Sequence, residues 1–448
     1  MATDGLIKSL EQLVWLLWES ACNRPVHFVL TFILPLAGLA VFCIYIILHI
    51  VAPKPRLPFP SEKTYITINP DGTVSAARPL PCWYDRWRAE GRLSQEYPTI
   101  PAGFPVTDQA TIEPAEVEVS VVVPAYNEEA RIIAGLEEMV EYLDQQFGRP
   151  NGQSLQPEQQ QEKPAQKRGR KDKRPTTPHR LVFKPDSTSP PPRPDTGPTA
   201  SAEATPSGYE ILIVDDGSRD RTVEVVLDFS RRHGLHDIIR VVKLEKNRGK
   251  GGAVTHGLRH VRGKYAVFAD ADGASRFSDL GRLIEGCEDV VDGSNRGVAI
   301  GSRAHLVGSE AVVKRSAIRN FLMRSFHFVL MILTPPATSR IRDTQCGFKL
   351  FSRAALPHIV PYMHTEGWIF DIEMLMLAES APATPVLASD GSVIGTSYGI
   401  KVAEVPVGWH EVDGSKMNLV QDSVRMAIGL AVLRASWMLG VYRRRVTE

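Results

Sequence analysis

Tyr265-Ala-Val-Phe-Ala-Asp-Ala-Asp-Gly273 couples a short apolar run to two aspartates one residue apart. Tyr265 to Ala269 reads as a buried β-strand, and Asp270 and Asp272 leave the turn at its carboxyl end, where open α/β sheets bind their ligands. Closely spaced carboxylates at a strand end supply the hard oxygen ligands that a divalent ion bridging a diphosphate needs. An isolated Asp-x-Asp more often marks a solvated turn, so the pair takes its meaning from its neighbours.

Upstream, Val119-Ser-Val-Val-Val-Pro-Ala-Tyr-Asn-Glu-Glu129 is a β-branched run ending in a proline and a polar cluster, followed by an amphipathic helical pattern to about Leu143. Tyr209-Glu-Ile-Leu-Ile-Val-Asp-Asp-Gly-Ser218 repeats the design, with Thr222 in the first turns of the next helix. A third unit runs from Ile239 to Leu244, through Asn247-Arg-Gly-Lys-Gly-Gly252, into a helix over Ala253 to Val261. This alternation predicts a mostly parallel sheet with crossover helices and puts all three polar clusters on one edge. The Asn247 to Gly252 loop opens a helix and suits close backbone approach to phosphate, although a plain tight turn has the same composition. It has no Gly-Lys-Ser/Thr at Walker spacing, so Lys250 reads as a charge beside a nucleotide rather than as an ATPase lysine.

Val-Pro-Ala-Tyr-Asn-Glu, Val-Asp-Asp-Gly-Ser, Asn-Arg-Gly-Lys-Gly-Gly-Ala and Ala-Asp-Ala-Asp-Gly, in that order, resemble the inverting family 2 glycosyltransferases of the GT-A fold. Gly301-Ser-Arg303, Arg342-Asp-Thr-Gln-Cys-Gly-Phe-Lys349, Glu366-Gly-Trp-Ile-Phe-Asp-Ile-Glu373 and Val405-Pro-Val-Gly-Trp-His-Glu-Val-Asp-Gly-Ser-Lys416 narrow the resemblance. With an N-terminal anchor, the set is similar to the members that glucosylate dolichyl phosphate, over roughly residues 117 to 440 apart from one insertion. The resemblance implies an α/β GT-A nucleotide-diphospho-sugar transferase fold with a Rossmann-like, mostly parallel sheet. It also implies transfer of glucose from UDP-glucose to dolichyl phosphate with inversion. The sister reaction with GDP-mannose is the enzymatic alternative, and a membrane-tethered nucleotide-sugar-binding scaffold without turnover is the alternative of another class.

Composition fits a catalytic domain on a tether. The chain has 52 Lys and Arg against 51 Asp and Glu, a formal net charge of +1, so there is no global electrostatic case for nucleic acid. Its five cysteines have neither Cys-x-x-Cys nor metal-ligand spacing, and Cys43 lies in an apolar stretch, which argues for a reducing, cytosol-facing domain. That stretch, 28–52 after a short 1–27 segment, is long enough for a retained signal anchor. Lys54 and Arg56 follow it while Arg24 stands alone before it, and no Asn-x-Ser/Thr sequon occurs, so the catalytic side is expected to face the cytosol; the resemblance implies the endoplasmic reticulum membrane.

The expected organisation continues with a juxtamembrane linker over 53–116 and a catalytic domain over 117–416. Residues 147–207 read as a disordered insertion, rich in Gln, Pro, Ser and Thr, with Pro190 to Pro194 all proline except Arg193 and a basic run from Lys167 to Arg174. Phe321, Leu322, Phe326, Phe328, Val329, Leu330, Met331 and Ile332, flanked by Arg315, Arg319, Arg324, Arg340 and Arg342, form either a membrane-interface helix or a core element. Met426 to Tyr442, ending in Arg443-Arg-Arg445, gives a surface-lying amphipathic helix within 417–448, in contact with membrane lipids.

By resemblance, Asp272 binds Mg2+ or Mn2+ with the diphosphate, Asp270 contacts the ribose or supports the metal, and Pro124, Tyr126, Glu128, Asp215, Asp216, Lys250 and Ala269 line the nucleotide-sugar pocket. Asp215 and Asp216 also read as capping the next helix through the Asp-Gly-Ser turn. Related mannosyl enzymes often carry a glutamine after the second aspartate, whereas Gly273 and Ala274 follow here. A hydroxyl acceptor needs a catalytic base, but a phosphate monoester is mostly dianionic at neutral pH and already nucleophilic. The Gln-x-x-Arg-Trp signature of processive synthases is absent. Arg303 and Lys349, assisted by Arg340 or Arg342 and with Trp368 beside them, are therefore expected to hold the lipid phosphate for in-line attack, Arg303 joining Asp270 and Asp272 as a catalytic residue.

Overall fold

A computed structural model describes residues 29–96, 112–150, 206–306, 328–387, 393–412 and 419–444, with scattered positions before residue 29. Most of the expected insertion, the stretch holding Arg315, Arg319 and Arg324, and the end of the chain at Arg445 lie outside the described residues.

The three β-branched runs form β3 (Val117–Ala125), β4 (Tyr209–Asp215) and β5 (Ile239–Lys243), and the run before the aspartate pair forms β6 (Gly263–Ala269). With β7 (Val298–Ser302), β8 (Phe348–Ser352) and β11 (Val402–Pro406) they make a seven-stranded sheet in the order β11-β7-β8-β6-β3-β4-β5, while β9 (Thr384–Leu387) and β10 (Val393–Ser397) pair with each other in an antiparallel ribbon. Every pairing is parallel except those of β8, which runs antiparallel between β6 and β7. The strands read as continuous apolar runs because helices cover both faces. On one face lie α3 (Ile132–Gln146), α4 (Thr222–Arg232) and α6 (Leu280–Val290), through Leu136, Met139, Phe229 and Leu283. On the other lie α5 (Gly249–Leu258) and α7 (Phe370–Glu379), through Val254, Leu258, Phe370 and Met374. The carboxyl ends of β3, β4, β5 and β6 consequently share one edge of the sheet with the start of β8.

Before the sheet, α1 (Leu34–Val51) continues a π-helical turn over Val29–Ile33. Together they are 23 residues, the one helix among the described residues long and apolar enough to cross a membrane. At about 1.5 Å rise per residue the element spans roughly 35 Å, more than a hydrocarbon core of about 30 Å.

The segment expected to be a linker differs from that reading over its first half. β1 (Thr64–Tyr65), β2 (Arg78–Pro79) and α2 (Trp83–Glu96) fold onto the catalytic sheet, with Ile66 bridging to Val241 of β5. Trp83 is 2% exposed, and its indole N–H donates to Leu258 O at 2.7 Å. Ile68, Leu80 and Trp83 are apolar side chains a solvated linker would not bury, and they pull the chain down.

The two candidate interface helices divide their apolar residues between two surroundings. Leu430 and Leu433 of α8 (Leu419–Met438) are fully buried against Leu330, Ile369, Ile372 and Met376. Val424, Ile428 and Met438, with Phe328, Met331 and Ile332, remain exposed. Each element is thus a core element along one face and an apolar surface along the other.

Candidate active site

The loops after β3 and β4 are laced together. Ala125 and Asp215 are register partners at the carboxyl ends of their strands. Just beyond, Asn127 N–H donates to Ser218 Oγ at 2.9 Å, Glu128 N–H to Thr222 Oγ1 at 2.8 Å, and Arg219 N–H to Asn127 Oδ1 at 2.8 Å. Pro124 and Tyr126 are half-buried beside them. Asp215 accepts from Ser218 N–H at 3.1 Å, while the start of α4 is served by Asp220, which accepts from Thr222 N–H at 3.1 Å.

Asp216 has a different task from the helix cap expected of it. Its carboxylate crosses to the glycine loop and accepts from Arg248 N–H at 2.6 Å and Gly249 N–H at 2.9 Å. Gly249 sits at φ +79°, and a Cβ there would press on Glu366 O at 2.7 Å, so only glycine lets the loop turn this tightly. Burial pushes the Asp216 carboxyl up to about 7 despite those two donors. The unfolded value is about 3.9, so the folded state holds the extra proton between about pH 4 and 7, and stability falls as pH rises through that window. The difference in stability between pH 5 and pH 8, read from thermal melts, is expected to be smaller in Asp216→Asn than in the parent by up to about 3 kcal/mol; an equal difference in both proteins would refute this assignment.

Asp270 and Asp272 emerge from β6 at the centre of the edge. Lys250 Nζ lies 2.6 Å from Asp270 Oδ1, so the glycine loop delivers its lysine to the aspartate pair. Arg131, at the start of α3, is gripped by Glu128 at 2.6 Å and reaches within 4.0 Å of Asp272. Burial, and then the neighbouring Asp270 charge, raise the Asp272 carboxyl above its usual range. Two neighbouring carboxylates are the hard, mutually repelling donor pair that a divalent cation relieves. Among the described residues no three His, Cys, Asp or Glu side chains converge on one point. An ion held here would therefore take its protein ligands from Asp270 and Asp272 and complete its shell with substrate oxygens or water.

Opposite Asp270 stands Gly347, just before β8. A Cβ built on it overlaps the Asp270 carboxylate. The register sets this up, since Ala269 pairs with Phe348 and the residues one step beyond therefore face each other.

Across the same edge, Arg303 follows β7 and donates from Nε at 2.7 Å and Nη2 at 2.9 Å to the two oxygens of Asp343. Asp343 is itself fixed by Glu404 of β11, which accepts its N–H at 3.1 Å and also takes the Ser302 hydroxyl at 2.6 Å. Burial opposes both charges, but the pair holds Arg303 above and Asp343 below their usual values. A third of the Arg303 side chain stays exposed, with the guanidinium 5.8 Å from the Trp409 ring centroid. Arg340 and Arg342 are exposed on the Asp343 loop, and Trp368 is 38% exposed on the loop that contacts Gly249.

Lys349 is placed differently from expectation. It has no exposed surface, and its Nζ donates to Asp371 Oδ1 at 2.5 Å and Cys346 O at 2.6 Å. Because β8 is an interior strand, all five of its side chains are covered. A buried ammonium must be paired internally, so this lysine supports the site from beneath and has no free face for a lipid phosphate. Asp343, Asp371, Glu366 and Gly347 also serve the site, and all four stand inside the quoted motifs although nothing in the local pattern marks their roles. Arg131 carried no signal at all, because an arginine after an Asn-Glu-Glu turn looks like an ordinary surface residue.

Residues 199–356 match the model of glycosyl transferase family 2. The chain is similar to the dolichyl-phosphate beta-glucosyltransferase of Saccharomyces cerevisiae, 35% identical over 411 residues, which cover 90% of this chain and 92% of that one. The protein of that name from Drosophila melanogaster is 33% identical over 340 residues, 75% of this chain and 81% of the other, and the one from Homo sapiens is 38% identical over 241 residues, 54% and 68%. Among solved structures, glucosyl-3-phosphoglycerate synthase from Mycobacterium tuberculosis, crystallised with Mn2+, UDP-glucose and phosphoglyceric acid, is similar at 15% identity and a TM-score of 0.39, covering 71% of this chain and 80% of that one.

Proposed function

We infer the details of the reaction from one premise: the chain belongs to the dolichyl-phosphate beta-glucosyltransferases and is a family 2 glycosyltransferase. The donor is UDP-glucose, the acceptor dolichyl phosphate, and the products are β-linked dolichyl phosphate glucose and UDP. An oxygen of the lipid phosphate attacks the anomeric carbon from the face opposite the nucleotide as the bond from that carbon to the β-phosphate oxygen breaks, so the configuration inverts and the electron pair leaves on UDP. The phosphate arrives mostly as its dianion, so no side chain need take a proton.

What supports this reading most is the division of charge along one sheet edge. The carboxylate pair Asp270 and Asp272, with Lys250 and Arg131, lies on the donor side, and Arg303 in its Asp343 fork lies on the acceptor side. The nucleotide would lie along Pro124, Tyr126, Glu128, Asp215 and Ala269, with Asp216 holding the glycine loop in place. Mg2+ or Mn2+ on Asp270 and Asp272 would neutralise the departing diphosphate. Arg303, with Arg340, Arg342 and Trp368 around it, would bind the lipid phosphate and aim its oxygen, since a guanidinium fork recognises phosphate with direction as well as charge. The exposed apolar helix α1 is compatible with a single-pass anchor in the endoplasmic reticulum membrane, with the site facing the cytosol. The product would then serve as the lumenal glucose donor for assembly of the N-glycan precursor.

The test is to incubate the detergent-solubilised protein and short-chain dolichyl phosphate with labelled UDP-glucose or GDP-mannose and Mg2+ or Mn2+, and to count lipid-extractable label. Label from UDP-glucose alone, lost on chelation and in Asp272→Ala, is the expected result. Label from GDP-mannose would overturn the donor, and label from neither would leave a nucleotide-sugar-binding scaffold.

A further inference from the structure

We propose that the segment leaving the membrane-crossing helix is a positioning element of the donor site, with Glu62 at its centre; this rests on the UDP-sugar reading of that site. Val51 ends α1 and Arg56 follows five residues later, a reach of at most about 18 Å even when fully extended. Within that reach the chain meets the glycine loop.

Glu62 has no exposed surface. A carboxylate so buried must be fully satisfied, and its partners come from both sides of the junction. Arg56 donates from Nη1 at 2.8 Å and Nη2 at 2.5 Å, Phe59 N–H donates at 2.9 Å, and Glu245 N–H donates at 2.9 Å. Burial alone would raise the Glu62 carboxyl, but these bonds, with Arg56 foremost, hold it below its usual value.

The contact extends over the whole base of the loop. Glu62 O accepts from His256 Nε2 at 2.9 Å, and burial keeps that imidazole neutral. Arg56 O accepts from Arg248 Nη2 at 3.1 Å, and Ser61 Oγ bonds Glu245. Arg248, in turn, donates from Nε to Glu366 at 2.8 Å. Residues 245 and 256 therefore flank the glycine turn, residue 248 lies at its start, and all three are held by the segment from Arg56 to Glu62.

Between those fixed points sits Lys250, 2.6 Å from Asp270. The height of the turn sets where that ammonium and the loop N–H groups lie relative to the aspartate pair, so Glu62 acts on the donor through the loop without touching it. The acceptor groups Arg303 and Asp343 are fixed by Glu404 from β11 and do not depend on this junction.

The experiment measures transfer by the full-length protein in detergent micelles, varying UDP-glucose and short-chain dolichyl phosphate separately. Glu62→Gln is expected to raise the KM for UDP-glucose about 10-fold, the loss of roughly one charged hydrogen bond, while the KM for the lipid and kcat stay within about 2-fold. Arg56→Lys, which keeps the positive charge but loses the fork, should give a smaller rise in the same direction. An unchanged donor KM in folded Glu62→Gln overturns the proposal, as does an equal rise in both KM values with a lowered melting temperature, the mark of a merely structural role. Should Glu62→Gln not fold, Arg56→Lys decides alone, and an unchanged donor KM in it overturns the proposal. Absence of transfer from UDP-glucose by the unaltered protein would instead defeat the functional reading, a separate outcome.

Discussion

Gly347→Ala is expected to lower kcat/KM for transfer about 100-fold while leaving the melting temperature close to that of the parent. The added methyl overlaps the Asp270 carboxylate, so one of the two must give way. The strand on which Gly347 opens is tied to β6 on one side and β7 on the other and moves little, whereas the Asp270 side chain is 29% exposed and free to turn. Turning it breaks the ion pair with Lys250 and removes one member of the carboxylate pair from its place. Misplacing a reacting group by about 1 Å costs on the order of 100-fold, or about 2.7 kcal/mol of barrier. Parental activity in a folded Gly347→Ala protein, measured by lipid-extractable label, would show that the position of Asp270 is unimportant.

Arg303→Ala is expected to raise the KM for dolichyl phosphate between 10- and 100-fold with the KM for UDP-glucose changed less than about 2-fold. A hydrogen bond to a charged group contributes about 1.5–3 kcal/mol, and in the proposed arrangement the guanidinium meets the acceptor while the donor is held elsewhere. Arg303→Lys should recover only part of the loss, because an ammonium keeps the charge and loses the fork that Asp343 orients. The variant also strands Asp343, so the melting temperature should fall; the selective change in one KM separates recognition from that loss. An unchanged acceptor KM would remove Arg303 from the lipid-phosphate site.

The parts of this molecule that were legible in its sequence are those governed by local patterning. Runs such as Val119 to Val123 and Tyr209 to Val214 are apolar on both faces because a parallel sheet is covered twice, so strand, turn and helix could be read in order. The aspartates at the strand ends followed from that order. Placement across the sheet was not legible, because it depends on which strand becomes interior. Lys349 looked like an acceptor cation, yet the insertion of β8 between β6 and β7 covers it, and it pairs with Asp371, 22 residues further along the chain. Asp343 and Glu404 form one support for Arg303 although 61 residues separate them. Nor did any periodicity mark 53–96 as a folded layer, since its buried residues Ile68, Leu80 and Trp83 are isolated among prolines and charges.

The exit of α1 is welded rather than hinged. Ala52 packs into the cluster of Leu330, Ile369 and Leu430, and the Tyr442 hydroxyl donates to Pro53 O at 2.6 Å. With α1 in a bilayer, as proposed above, the catalytic unit keeps a constant height and azimuth over the lipid plane instead of swinging on a leash. A lipid-borne acceptor diffuses in that plane, so its search for the site becomes two-dimensional, and a mouth held at one elevation converts lateral collisions into encounters without waiting for the protein to tilt.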